Sequence, residues 1–199
     1  MSKKNISKPY NNELVGKFVG MGLHHLVRRY GDDKVIKFPV GLPYRLNSGL
    51  WCRNLCRDGE IMKKYLSSYL MDFDVRFFNV NKKPSYVIIE SFCGGRNLRK
   101  SDFKDGGVHK QFSNIINLNN EMKRKENISL DFFGVKGLLW KGRREVCNIM
   151  FDEKKRKLRI IDVAALHFGR TKDRQIIVSF ITLLGLKLQK GLLKKFLDT

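Results

Sequence analysis

The chain has little that would cross-link it or anchor it in a membrane. Only 4 of its 199 residues are cysteine, and Cys52, Cys56, Cys93 and Cys147 are too scattered for a disulfide framework, so they read as free thiols. Cys52 and Cys56 could share a helix face, but no second Cys or His pair at ligand spacing completes a zinc site, and packing accounts for them. No stretch reaches the roughly 18–20 uninterrupted apolar residues that cross a bilayer. The opening MSKKNISKPYNNE has no apolar core of the kind a signal peptide carries, so a cytoplasmic protein is expected. Repeats and low-complexity segments are absent as well.

Acidic residues are scarce: 19 Asp+Glu stand against 40 Lys+Arg, a formal net charge of +21. Such a field attracts nucleic acid, anionic lipid or phosphorylated small molecules. The charge is spread along the whole chain, however, and its densest runs, Lys123-Arg124-Lys125 and Lys154-Lys155-Arg156-Lys157, read as a solvated helix end and a hairpin turn. Nucleic-acid binding through the basic surface therefore stands as an alternative reading. With 42% hydrophobic and 11% aromatic residues there is enough apolar surface for a core, which excludes wholesale disorder.

Hydrophobic period supplies the organisation. Leu14 to Val19, Leu23 to Tyr30 and Lys34 to Val40 read as three strands of an antiparallel meander, with turn signals at Gly20-Met21-Gly22 and Gly31-Asp32-Asp33. From Ser48 to Leu70 the apolar residues recur at helical spacing, interrupted only by Gly59. Asp74 to Val80 and Tyr86 to Phe92 are two further strands around Asn81-Lys82-Lys83-Pro84, and Cys93-Gly94-Gly95 is the expected hinge. Beyond it the period turns helical over Phe112 to Met122. A hairpin follows at Asn148 to Asp152 and Leu158 to Val163, then two closing helices, Ile176 to Leu186 and Leu188 to Leu197. The expected architecture is α+β and bilobal: a tail over 1–13, a β-rich N-terminal lobe over 14–93 with one helix, and a truncated, mainly helical C-terminal lobe over 94–199.

Four features carry chemistry, each weak by itself. Gly20 and Gly22 allow close backbone approach to phosphate oxygens, although a plain hairpin turn would look the same. Lys37 is a cation in the apolar strand Val35-Ile36-Lys37-Phe38, where a solvent-facing lysine is the commoner case. Glu60 on the following helix could neutralise a buried Lys37, or be an ordinary exposed acid. Asn148 and Asp162 place an amide oxygen and a carboxylate near the ends of adjacent strands, a hard ligand set that suits Mg2+.

In this order the features resemble the protein-kinase-like superfamily over about residues 14 to 170. Gly20, Gly22 and Val27 match the glycine-rich loop, with His25 where a third glycine would be. Lys37 matches the strand lysine and Glu60 its helix partner. Ile89-Glu90-Ser91-Phe92 is similar to the segment entering the adenine-contacting hinge, and Asn148 and Asp162, 14 positions apart, to the two metal ligands. The run Ile160-Ile161-Asp162-Val163 looks more like atypical RIO-type members than kinases with Phe-Gly after the Asp. The resemblance implies binding of ATP with Mg2+, with the backbone of residues 90–92 contacting the base.

The departures bear on activity. Arg143 stands five residues before Asn148, where the family carries its proton-accepting Asp, and an arginine cannot accept a proton. Glu145 is the provisional displaced base. Asp131 reads as a helix-end cap in preference to a loop acid reaching the site. With 37 residues after Asp162, an activation segment and peptide-binding helices do not fit, and no pattern identifies the phosphate acceptor. The functional expectation is a weak or specialised ATP-dependent phosphotransferase, with Lys37, Glu60 and Glu145 as its catalytic set. The alternatives are a pseudokinase acting as a nucleotide-binding regulatory module, and a basic RNA- or ribosome-associated protein.

Overall fold

The computed structural model describes residues 10–22, 24–41, 44, 47–133, 145–163, 165–167 and 176–197, of which 167 and 176–186 by their backbone alone. The chain is α+β and divides into two compact units, residues 1–53 with 72–92, and residues 54–71 with 93–199.

The first unit is built on one antiparallel sheet of strands β1 (Val15–Met21), β2 (His25–Tyr30), β3 (Lys34–Pro39), β4 (Phe73–Val80) and β5 (Lys83–Ser91), in the order β1-β2-β3-β5-β4. Its turns follow from local chemistry. Gly31 takes φ +62° between β2 and β3, a conformation glycine adopts without a Cβ penalty. Between β4 and β5, Asn81 (φ 49°) and Lys82 (φ 65°) are both left-handed, which matches the right-handed twist of a hairpin and ends the turn after two residues. Lys83 and Pro84 consequently belong to β5 and not, as the sequence suggested, to the turn.

Directly paired residues share a sheet face, so the register sorts the side chains. Ile36, Val87 and Ile89 close one face together with Tyr30, against Tyr10, Val15, Phe38 and Phe78. The opposite face carries a row that crosses the sheet: Gly20 pairs with Val27, Val27 with Lys37, Lys37 with Ile88 and Ile88 with Val75.

Helix α1 (Ser48–Leu66) has its first residues in the first unit and the rest in the second. Leu55, Met62 and Leu66, spaced by seven and four, form its buried stripe.

The second unit contains helices α2 (Gly106–Glu126) and α3 (Ile176–Leu197) and two small sheets. Strands β6 (Arg96–Arg99), β8 (Glu145–Asp152) and β9 (Lys157–Ile160) form one sheet, with β8 central, and β7 (Ile128–Leu130) pairs with β10 (Ala165–His167) in the other. Helix α2 is longer than its hydrophobic period implied, because Asp105 caps it by accepting from Gly107 N–H at 2.8 Å and Asn127 closes it in the left-handed region. The break expected at residue 187 is absent, and one helix runs from 176 to 197. Strands β6, β7 and β10 were not anticipated, since three or four residues are too few to display a period.

Gly95 has a steric duty. A Cβ there would lie 2.8 Å from the carbonyl carbon of Phe151, so the start of β6 can approach β8 only without a side chain, whereas Gly94 has open space around it.

Candidate functional site

In the first unit the central group is Lys37, 6% exposed at the middle of the sheet. Its ammonium forms an ion pair with Glu90, itself 3% exposed. Lys37 is paired with Ile88, so Glu90 lies two positions along β5 on the same face, where the two side chains reach each other diagonally. The expected partner, Glu60, does something else: its side chain is 78% exposed and it pairs with Lys63 one helical turn on, at 3.5 Å. This corrects the assignment from sequence. A strand neighbour neutralises Lys37, and Glu60 has the ordinary role of an exposed helix acid.

Gly20 lies in β1 opposite Val27, and a Cβ on Gly20 would meet nothing within 4 Å. Internal packing therefore does not require this glycine. Gly22 spends its N–H on His25 C=O at 2.8 Å, which closes the β1–β2 turn, and so offers space but no free donor. His25 is a core residue here: it is buried, and its Nε2 lies 2.9 Å from the Tyr86 hydroxyl. His24 lies against Trp51, ring centroids 5.1 Å apart.

The segment expected to contact a nucleobase is largely occupied with the fold. Ile89 points into the apolar core, Ser91 N–H donates to Asp72 C=O at 2.9 Å, and Phe92 N–H donates to Asp33 C=O at 2.7 Å. The N–H groups of Ser91 and Phe92 are thus used within the first unit. The exposed Phe92 ring is covered by the Arg29 guanidinium, 3.9 Å from its centroid.

In the second unit three oxygen-bearing residues converge through backbone hydrogen bonds. Asn148 on β8 donates from its backbone N–H to Phe132 C=O at 3.0 Å and from Nδ2 to Asp131 C=O at 2.7 Å. On its other side Asn148 C=O accepts from Ile161 N–H at 3.2 Å, and the next residue is Asp162, half-buried just past β9. With Nδ2 committed to a carbonyl, the oxygen is the atom that the Asn148 amide has left for a cation.

Asp131 follows β7 directly, and one of its carboxylate oxygens accepts from Phe133 N–H at 3.2 Å, closing a tight turn. The helix that Asp131 was expected to cap would lie in residues after 133, outside the described residues. The place of Asp131 beside Asn148, 17 positions away in sequence, is a feature the sequence reading did not assign. The one local signal was an acid at the end of the apolar run Ile128-Ser129-Leu130.

Glu145, the provisional base, is held elsewhere: it accepts from Asn97 Nδ2 at 3.2 Å and lies 3.8 Å from Arg99 Nε, both on β6. Arg143, at the family's usual base position, lies outside the described residues. Near β6, Arg96 grips Asp102 through two hydrogen bonds of 2.7 and 2.8 Å. Burial pushes the Asp102 carboxyl up, but the Arg96 guanidinium and the Arg99 backbone N–H outweigh it and hold the group below its ordinary range. Among the described residues no cluster of three or more His, Cys, Asp or Glu side chains forms a metal site. No helix among them is long and apolar enough to cross a membrane.

No protein-family model matches the chain, and no curated protein matches it. Among solved structures it is similar to "PpkA-294 apo form", with a TM-score of 0.47 and 12% identity over 75% of this chain and 57% of that one. It is also similar to the Cydia pomonella granulovirus kinase PK-1, with a TM-score of 0.47 and 13% identity over 88% of this chain and 67% of that one. The chain thus spans little more than half the length of the first of these.

Proposed function

We propose that the chain is a kinase-like phosphotransferase that uses ATP with Mg2+, and that its proton acceptor is Asp131, not Glu145. The observation that carries this reading is the junction of Asp131 and Phe132, Asn148 and Ile161 through three backbone-anchored hydrogen bonds. It gathers a carboxylate, an amide oxygen and a second carboxylate on adjoining segments, the set that phosphoryl transfer uses. The short pattern Ile160-Ile161-Asp162 keeps the RIO-like character of the resemblance.

The first unit supplies binding groups. Gly20 and Gly22 leave room for phosphate oxygens, Val27 covers an apolar part of the nucleotide, and Lys37, oriented by Glu90, attracts the phosphate charge. In the second unit Asn148 Oδ1 and the Asp162 carboxylate hold the metal, which when bound neutralises charge on the phosphate oxygens. Asp131 accepts the acceptor's hydroxyl proton as that oxygen forms its bond to phosphorus and the bond to the departing diphosphate breaks. The four cysteines form no disulfide with one another, and a cytoplasmic setting is part of this reading.

Calorimetry with ATP and Mg2+, paired with a phosphate-transfer assay on wild type, Lys37→Ala, Asp162→Ala and Asp131→Asn, tests the reading. Weakened nucleotide binding in the first two and lost turnover with retained binding in the third are expected. Equal nucleotide affinity in all four proteins overturns it. Binding without any turnover replaces it with a nucleotide-binding regulatory module.

RNA association is the second reading, favoured by the exposed Lys187, Lys190 and Lys194, which follow one side of α3. An affinity for RNA that does not change between low and physiological salt excludes it.

A further inference from the structure

Three carboxamides, two of them buried (Asn119 and Gln189) and one half-buried (Asn148), surround the segment Leu130–Phe132, and Gln189 comes from the last described helix. Gln189 on α3 is 3% exposed. Its Oε1 accepts from Phe132 N–H at 2.8 Å, and its Nε2 donates to Leu130 C=O at 2.9 Å. The orientation of this amide is unambiguous, because a peptide N–H can only donate and a peptide C=O can only accept.

Leu130 C=O belongs to the peptide unit before Asp131, and Phe132 N–H to the one after it. The rotation between these two units is the φ and ψ of Asp131, which set the direction of its Cα–Cβ bond. One side chain therefore spans both planes that aim the carboxylate. The unit after Asp131 is held at its other end too, since Asn148 Nδ2 donates to its carbonyl at 2.7 Å. Asn119 on α2 receives Leu130 N–H at 2.8 Å and completes the frame.

We propose that Gln189 is a positioning residue for Asp131: its carboxamide bridges Leu130 C=O and Phe132 N–H and so aims the carboxylate at its substrate. The proposal rests on the assignment of Asp131 as proton acceptor, and it gives α3 a role in turnover beyond packing. Packing is carried by another residue of the same helix. Phe196, seven positions on from Gln189, is buried against Phe103 and Phe133, with ring centroids 5.4 and 5.9 Å apart. The two contributions can therefore be separated by substitution.

Gln189→Met keeps the volume and removes both hydrogen bonds, while Phe196→Leu loosens the helix and leaves the bridge intact. A displacement of about 1 Å in a reacting group costs on the order of 10²-fold in rate. Gln189→Met is accordingly expected to lower kcat for ATP-dependent transfer roughly 10-fold or more with KM for ATP within about twofold, and to add no further loss in an Asp131→Asn background. Phe196→Leu should lower Tm without that kcat loss. Should Gln189→Met fail to fold, Gln189→Glu, which keeps the acceptor for Phe132 and loses the donor for Leu130, must show the same split. A kcat loss equal to that of Phe196→Leu at matched Tm, or one that multiplies with Asp131→Asn, overturns the proposal. If wild type transfers no phosphate, the phosphotransferase reading falls by itself and hydrogen exchange decides the bridge. Phe132 N–H exchanging roughly 10-fold faster in Gln189→Met, with α2 amides unchanged, upholds it, and unchanged exchange at Phe132 refutes it.

Discussion

The side-chain amide of Asn148 donates to the backbone carbonyl of Asp131 at 2.7 Å, joining two residues 17 positions apart. Through this bond an acid at the end of β7 becomes the neighbour of an amide on β8, and the proposal of Asp131 as proton acceptor rests on it.

The assignment separates two carboxylates. Asp131→Asn should reduce phosphate transfer by roughly 10²-fold or more with nucleotide affinity nearly unchanged, whereas Glu145→Gln, a residue engaged with Asn97 and Arg99, should change turnover by less than about threefold. Steady-state kinetics on both variants tests the choice, and a larger loss in Glu145→Gln would reverse it.

Removing one member of the Lys37–Glu90 pair leaves a buried charge uncompensated, which costs about 3–5 kcal/mol in typical cases. Lys37→Met and Glu90→Gln should each destabilise the fold by an amount of that order, and the double variant by less than the sum. Glu60→Ala, at an exposed position, should stay within about 0.5 kcal/mol. Urea titrations of the four proteins give the comparison, and a Glu60 effect as large as that of Glu90 would contradict the pairing.

Gly95→Ala would force a Cβ against the Phe151 backbone and should destabilise by about 1–3 kcal/mol or more, because backbone on both sides must move. Gly94→Ala meets open space and should have a small effect. Thermal melts of the two variants distinguish a steric requirement at 95 from a hinge that needs both glycines for flexibility.

The Asp102 carboxyl titrates below its ordinary value of 3.8, so its salt bridge adds stability that is fully present above that pH and is lost as pH falls through the lower, folded-state value. The stability difference between wild type and Asp102→Asn should hold constant from neutral pH down to about 5 and shrink in the acid range. A difference that grew on acidification would contradict the depressed carboxyl.

Much of the scaffold was legible before the structure. Alternation marked β1 to β5, Gly31 announced a turn, the i, i+3, i+4 recurrence marked α1, and a cation in an otherwise apolar strand pointed to Lys37. These are local signals: a residue's period states which way it faces, and its φ states whether glycine is needed. What the sequence could not determine was who meets whom. Glu60 was the acid expected to neutralise Lys37, and only the β3–β5 register, which sets Glu90 on the lysine's own face, gave that place to Glu90. Asp131 and Glu145 were both acids near Asn148, and Gln189 carried no signal at all. Their roles arise because a buried peptide group must find a hydrogen-bond partner wherever the fold provides one, and that partner comes from strand register and helix docking, which no local period encodes.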